Sequence, residues 1–168
     1  VQFLEPLGYV DMYHLGHPEP VTLPLYIPGV KTVTLKGGLK ESFLNKLAMT
    51  AARLGLTNTA SKKQSLGRVL KGALPVLEKI QKPAVPMSGI RVDIKGYLDG
   101  KKQHLVYQAA DNMNNLTGVP LAIGALMMGK GEITRKGVFA PEAAVNPDRF
   151  IDELAQRNIK VVCTKGIS

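Results

Sequence analysis

Gly16-His17-Pro18-Glu19-Pro20 sets an imidazole and a carboxylate two residues apart, between prolines that stiffen the chain. An imidazole changes charge near neutral pH, and a neighbouring carboxylate can orient it, so this pair can hold a polar substrate or handle a proton. Functional groups are often carried on loops of this kind, although an ordinary surface turn has the same composition. A second group follows at Lys36-Gly37-Gly38-Leu39-Lys40. Glycines tolerate tight or left-handed backbone, and their amides together with lysine ammonium groups can receive a substrate carboxylate; the plainer reading is a solvated lysine pair. His17, Glu19, Lys36, Gly37, Gly38 and Lys40 are therefore the candidate substrate-binding residues, with no residue singled out as the catalytic acid or base.

Other chemistries find less support. Gly124-Ala125-Leu126-Met127-Met128-Gly129-Lys130-Gly131 has the glycine and lysine spacing of a phosphate loop, but Gly131 stands where Ser or Thr would hold magnesium. Its apolar interior suits a helix, whereas a phosphate cradle needs loop amides aimed at the anion. No serine sits in a Gly-x-Ser-x-Gly elbow, and Cys163 falls in an expected strand as a packed residue. His14, His17 and His104 are too scattered for a zinc site, and Glu5, Asp11, Glu19, Asp93 and Asp111 form no recognisable carboxylate pair. No strand, Gly-x-Gly-x-x-Gly turn and helix are present to hold a dinucleotide.

The elements that must position these residues follow from periodicity. Gly8 to Leu15 and Val30 to Leu35 read as short strands on either side of a brief helix, which begins near Pro20 and is stopped by Pro28 and Gly29. Glu41 to Leu54 carries a helical apolar stripe closed by Gly55. Polar residues 57–64 read as a flexible connection to a second helix, Leu66 to Ile80, which Pro75 should kink and Pro83 and Pro86 should end. Ile90 to Leu98 and the return through Ala110 alternate about Asp99-Gly100, the signature of a tight primed hairpin turn. Asn112 to Leu116 reads as a polar turn before a helix from Val119 to Met128. Asn146 caps a last helix with Pro147 at its first position, and Ile159 to Cys163 forms a terminal strand. The order predicts a single α+β domain in which helices cover a mainly antiparallel, mixed sheet.

Composition bounds the rest. A chain of 168 residues, 45% hydrophobic, can bury one core without metals or bridges, and one cysteine favours a reducing cytoplasm. The longest apolar stretch, Val119 to Met128, is too short to span a bilayer, so no membrane partner is expected. The net charge of +9 is spread along the chain, and aromatic residues are only 5% with no Trp, which predicts a solvated basic surface or attraction for acidic ligands rather than nucleic acid. Val1 in place of Met suggests a start further upstream.

Taken together, Gly16 to Pro24, Pro28-Gly29-Val30-Lys31, Lys36 to Leu39, Leu116 to Met128, Gly137-Val138-Phe139-Ala140-Pro141-Glu142 and Asn146 to Leu154 resemble the carboxy-terminal domain of saccharopine dehydrogenase-like reductases. The resemblance implies the substrate-binding and dimerisation domain of a larger enzyme, a homodimer, whose amino-terminal Rossmann domain binds NAD or NADP. It implies that a hydride passes between the nicotinamide and a secondary amine or imine of an amino acid-derived carboxylate substrate, and that this domain alone binds no cofactor. Where such reductases read Thr-Leu-Arg after a glycine, this chain reads Gly38-Leu39-Lys40, so an arginine fork becomes a lysine point charge. Two other classes stay open: a stand-alone ligand-binding or interaction module of the same fold, and a basic nucleic-acid binder.

Overall fold

The hairpin of the central sheet is set by its turn. Asp99 and Gly100 both take positive φ, 51° and 73°, as a two-residue primed turn requires. The strands on either side, β3 (Ser88–Leu98) and β4 (Lys101–Asp111), pair antiparallel from Leu98↔Lys101 to Ser88↔Asp111. A third strand, β5 (Val162–Lys165), joins the far side of β4 antiparallel, which leaves β3 at an edge. The computed structural model describes residues 1–40, 42–80 and 87–165. Glu41 and the exit prolines Pro83 and Pro86 lie outside the described residues.

Helices α4 (Met113–Gly129) and α5 (Pro147–Gln156) pack on each other, with Ala109 of β4 in the cluster that they form. Leu116, Ile123, Met127, Leu154 and Ile159 complete that core, and Ile123 is fully enclosed. Asn112 and Asn146 cap the two helices, their side-chain oxygens accepting from the amides of Asn115 and Arg149. Helix α4 therefore starts at Met113, and the polar stretch expected as a turn is its solvent-facing first turn. Asn158, at φ 64°, ends α5 in a Schellman arrangement, with the Ile159 amide donating to the Leu154 carbonyl and that of Asn158 to the Ala155 carbonyl. That arrangement drops Ile159 into the core and delays the last strand to Val162.

A smaller unit holds the amino-terminal third. Phe3, Leu7 and Val10 cluster with Met12, Met87 and Ala110. Strands β1 (Tyr13–His14) and β2 (Lys36–Gly37) form a two-residue antiparallel ribbon on either side of helix α1 (Glu19–Tyr26). Both expected strands are thus cut short. Gly8 to Met12 folds back on the amino terminus, the Phe3 amide reaching the Gly8 carbonyl and the Val10 amide the Val1 carbonyl. Val30 to Leu35 has strand-like residues but almost no edge to pair with, since β1 stops before the proline loop.

Helices α2 (Ser42–Arg53) and α3 (Ala60–Ile80) differ from expectation in two ways. Residues 60–64 belong to α3 rather than to a connection, which shortens the link to the turn before Ala60; Ser and Lys supply its solvated first turns. Helix α3 also continues through Pro75 as a single helix. The apolar residues Leu47, Leu54, Val69 and Leu70 are exposed, so the helices that cover the sheet are α4 and α5. The α+β class stands, with both sheets antiparallel.

Candidate functional site

Helix α1 begins directly after the proline loop, with Pro18 as its cap and Glu19 as its first residue. This places His17 and Glu19 one turn-step apart, and Nδ1 of His17 donates to Oε2 of Glu19. The bond holds the Glu19 carboxyl below its ordinary value, while both side chains are about half exposed. The result is an imidazole oriented by a carboxylate on a rigid loop, accessible from outside.

The ribbon places part of the second predicted group opposite β1. Lys36 pairs with His14 and Gly37 with Tyr13, and the Leu15 amide donates to the Leu35 carbonyl. Lys36 is exposed. The glycines have a packing reason of their own: a Cβ on Gly37 would overlap Leu15, and one on Gly38 would overlap the Asp11 carbonyl. Neither has positive φ, so the expected left-handed backbone is not what they supply; they let β2 lie against β1. Lys40 turns away from this group, its Nζ donating to the Pro6 carbonyl at 2.9 Å. A residue that periodicity alone did not flag secures the corner. Asn45 is buried and clamps Leu39, accepting from its amide at 2.9 Å and donating to its carbonyl at 2.7 Å. An amide in the first turns of a helix is a weak signal by itself.

Two further polar clusters were not legible from spacing. On β3 and β4, Asp93 accepts two bonds from Arg91, at 2.7 and 2.9 Å, and one from His104 at 2.7 Å. Arg91, and after it His104, brings the Asp93 carboxyl down to about 2. Arg91 also donates to the Gln2 carbonyl, tying the amino-terminal segment to the sheet. The second cluster lies on α5, where the buried Glu153 receives Arg149 and Arg157, and Arg149 reaches Glu132 at 3.2 Å. This network fastens the loop after α4 to α5. Cys163 does lie in a strand but is exposed, not packed; β5 is an outer strand, and its side chain sits beside Tyr107, whose hydroxyl it pushes up. Among the described residues, no three His, Cys, Asp or Glu side chains gather as a metal site would need. None of the described helices is long and apolar enough to cross a membrane.

Comparison with known proteins matches residues 4–159 to the saccharopine dehydrogenase C-terminal domain family. A curated relative, carboxyaminopropylagmatine dehydrogenase of Synechocystis sp., is 27% identical over 170 aligned positions, covering 91% of this chain. The matched part is 42% of that relative, so the chain spans less than half of its length.

Proposed function

Because the chain belongs to the saccharopine dehydrogenase C-terminal domain family, an oxidoreductase-associated family, we propose that it is the substrate-binding and dimerisation domain of an NAD- or NADP-dependent dehydrogenase acting on an amino acid-derived secondary amine or imine. The observation that carries this reading is the family match over nearly the whole chain, joined to a relative whose name describes a carboxylate- and amine-bearing substrate. The proposed substrate side comprises the imidazole–carboxylate pair of His17 and Glu19 together with Lys36, which lies opposite His14 across the ribbon. A positive net charge favours arrival of a carboxylate there.

Among the described residues both sheets are antiparallel, and no strand leads through a glycine-rich turn into a helix amino terminus as in a dinucleotide-binding fold. In this reading a Rossmann domain holds the nicotinamide and the present domain supplies the opposite wall. A reducing cytoplasm suits the single exposed thiol of Cys163.

The direct test is to assay the protein carrying its dinucleotide domain for reduction of NAD and NADP with carboxyaminopropylagmatine and with saccharopine, followed as absorbance of the reduced nicotinamide. Turnover of one amine that falls at least tenfold in His17→Ala, with cofactor affinity unchanged, is the expected result. No reduction of either nucleotide with either amine would instead favour a binding module of this fold.

A further inference from the structure

We propose that Arg135 is a carboxylate-binding residue, forming an anion site at the carboxy-terminal end of α1. The assignment rests on the reading above, in that the anion is the carboxylate of an amino acid-derived substrate. It adds a residue and a place that neither the loop motif nor the lysines indicate.

The site is built from three segments. Tyr26 is the last residue of α1, Phe139 lies in the loop after α4, and α1 packs against the 3-10 turn Pro141–Ala143. The Arg135 guanidinium lies over both rings, 4.7 Å from the Phe139 centroid and 5.6 Å from that of Tyr26. Its Nη1 donates to the Ala143 carbonyl at 3.1 Å. Two rings and one carbonyl thus fix the plane of the group while using a single one of its five N–H donors.

Arg91, Arg149 and Arg157 are each matched to a carboxylate, whereas no ion pair among the described residues includes Arg135. Glu142, in the 3-10 turn whose Ala143 carbonyl receives Arg135, has its Oε1 buried without a hydrogen-bond partner and forms no ion pair with the guanidinium among the described residues. The loop is held in place by other means, since Glu132 is anchored to Arg149. An exposed guanidinium already oriented and still carrying free edge donors loses little entropy on meeting a planar carboxylate, and can bind it through two parallel bonds. Lysine at position 40, committed to the Pro6 carbonyl, offers no such fork. Helix α1 also links this site to the first one: seven rises of 1.5 Å separate Glu19 from Tyr26 by about 10 Å, within the span of an extended amine with two polar ends.

The experiment uses L-glutamate as the probe, titrated into the nitrogen-15-labelled chain at constant ionic strength. Saturable displacement of the Arg135 Nε–H resonance and of the Phe139 amide is expected, about tenfold weaker in Arg135→Lys and absent at Phe139 in Arg135→Gln. A displacement matched by sodium chloride, no displacement, or saturation at Phe139 that survives Arg135→Gln overturns the assignment. In the protein with its dinucleotide domain, Arg135→Lys should raise KM for the amine about tenfold and leave that for the nucleotide unchanged. Dehydrogenase turnover that is indifferent to Arg135→Lys removes this site and keeps the proposed activity. Arginine-dependent glutamate binding in a protein that reduces neither nucleotide keeps the site and removes the activity.

Discussion

At the scale of single residues, the glycines separate packing from function most sharply. Gly38 is pressed against the Asp11 carbonyl, whereas Gly72, in exposed α3, has open space where a Cβ would stand. Gly38→Ala should cost about 1–3 kcal/mol by forcing the ribbon apart, while Gly72→Ala should be neutral or stabilise by up to about 1 kcal/mol through helix propensity. Urea unfolding of both variants checks this; equal midpoints would mean that the ribbon yields freely. Asp93 gives a pH signature. Its carboxyl is lowered from 3.8 to about 2 by Arg91 and His104, so it binds fewer protons folded than unfolded. The stability that it contributes is complete above pH 4 and is lost as pH falls through about 2. The difference in melting temperature between the native chain and Asp93→Asn should therefore be constant near neutrality and shrink below pH 4. A difference that is flat to pH 2 would show that the partners do not act through its charge.

At the scale of elements, legibility followed whether the determining interactions were local. The hairpin turn, the Asn146 cap with Pro147, and the short helix stopped before Pro28 and Gly29 all depend on residues within one turn of the chain, and their positions could be read directly. The strands at Gly8 to Leu15 and Val30 to Leu35 could not, because a strand exists only where a partner does, and the fold-back of Val1 to Val10 took that partner away. The same division holds for the site. His17 and Glu19 are neighbours in sequence and meet in space, whereas Arg135 meets Tyr26 across more than a hundred residues, with no spacing to announce it. The core of α4 was legible as an apolar run but not as to which residue it encloses. Ile123→Ala should cost about 2–5 kcal/mol, since nothing nearby is free to fill the space, and Asn112→Ala about 1 kcal/mol through the lost cap. Calorimetric melting of the two variants should preserve that order; a cap variant as damaging as the core variant would mean that α4 is held by its end rather than by its face.

At the scale of the whole molecule, the open edge of the sheet demands a cover. Ile90, Val92 and Ile94 alternate along β3 and are each about half exposed, at 49%, 48% and 50%, and the first two line a hollow of about 310 Å³ shared with Tyr107, Leu116 and Phe150. An edge strand with apolar alternation over Ile90, Val92 and Ile94 is a template for pairing. The strand can pair with a second copy of itself: antiparallel pairing centred on Val92 sets Arg91 opposite Asp93 of the other copy and Ile90 opposite Ile94, matching charge with charge and apolar with apolar. Centring on Asp93 would instead oppose Arg91 to Lys95. Sedimentation should thus show a concentration-dependent dimer, and Ile94→Lys should shift it to monomer, with a far-ultraviolet spectrum unchanged because the side chain is already half in water. A chain that stays monomeric at millimolar concentration would overturn this pairing. Were the proposed dinucleotide domain to cover the edge instead, it would bury Ile90 and Val92, which hydrogen exchange along β3 in the presence and absence of that domain would register as protection of the outward-facing amides.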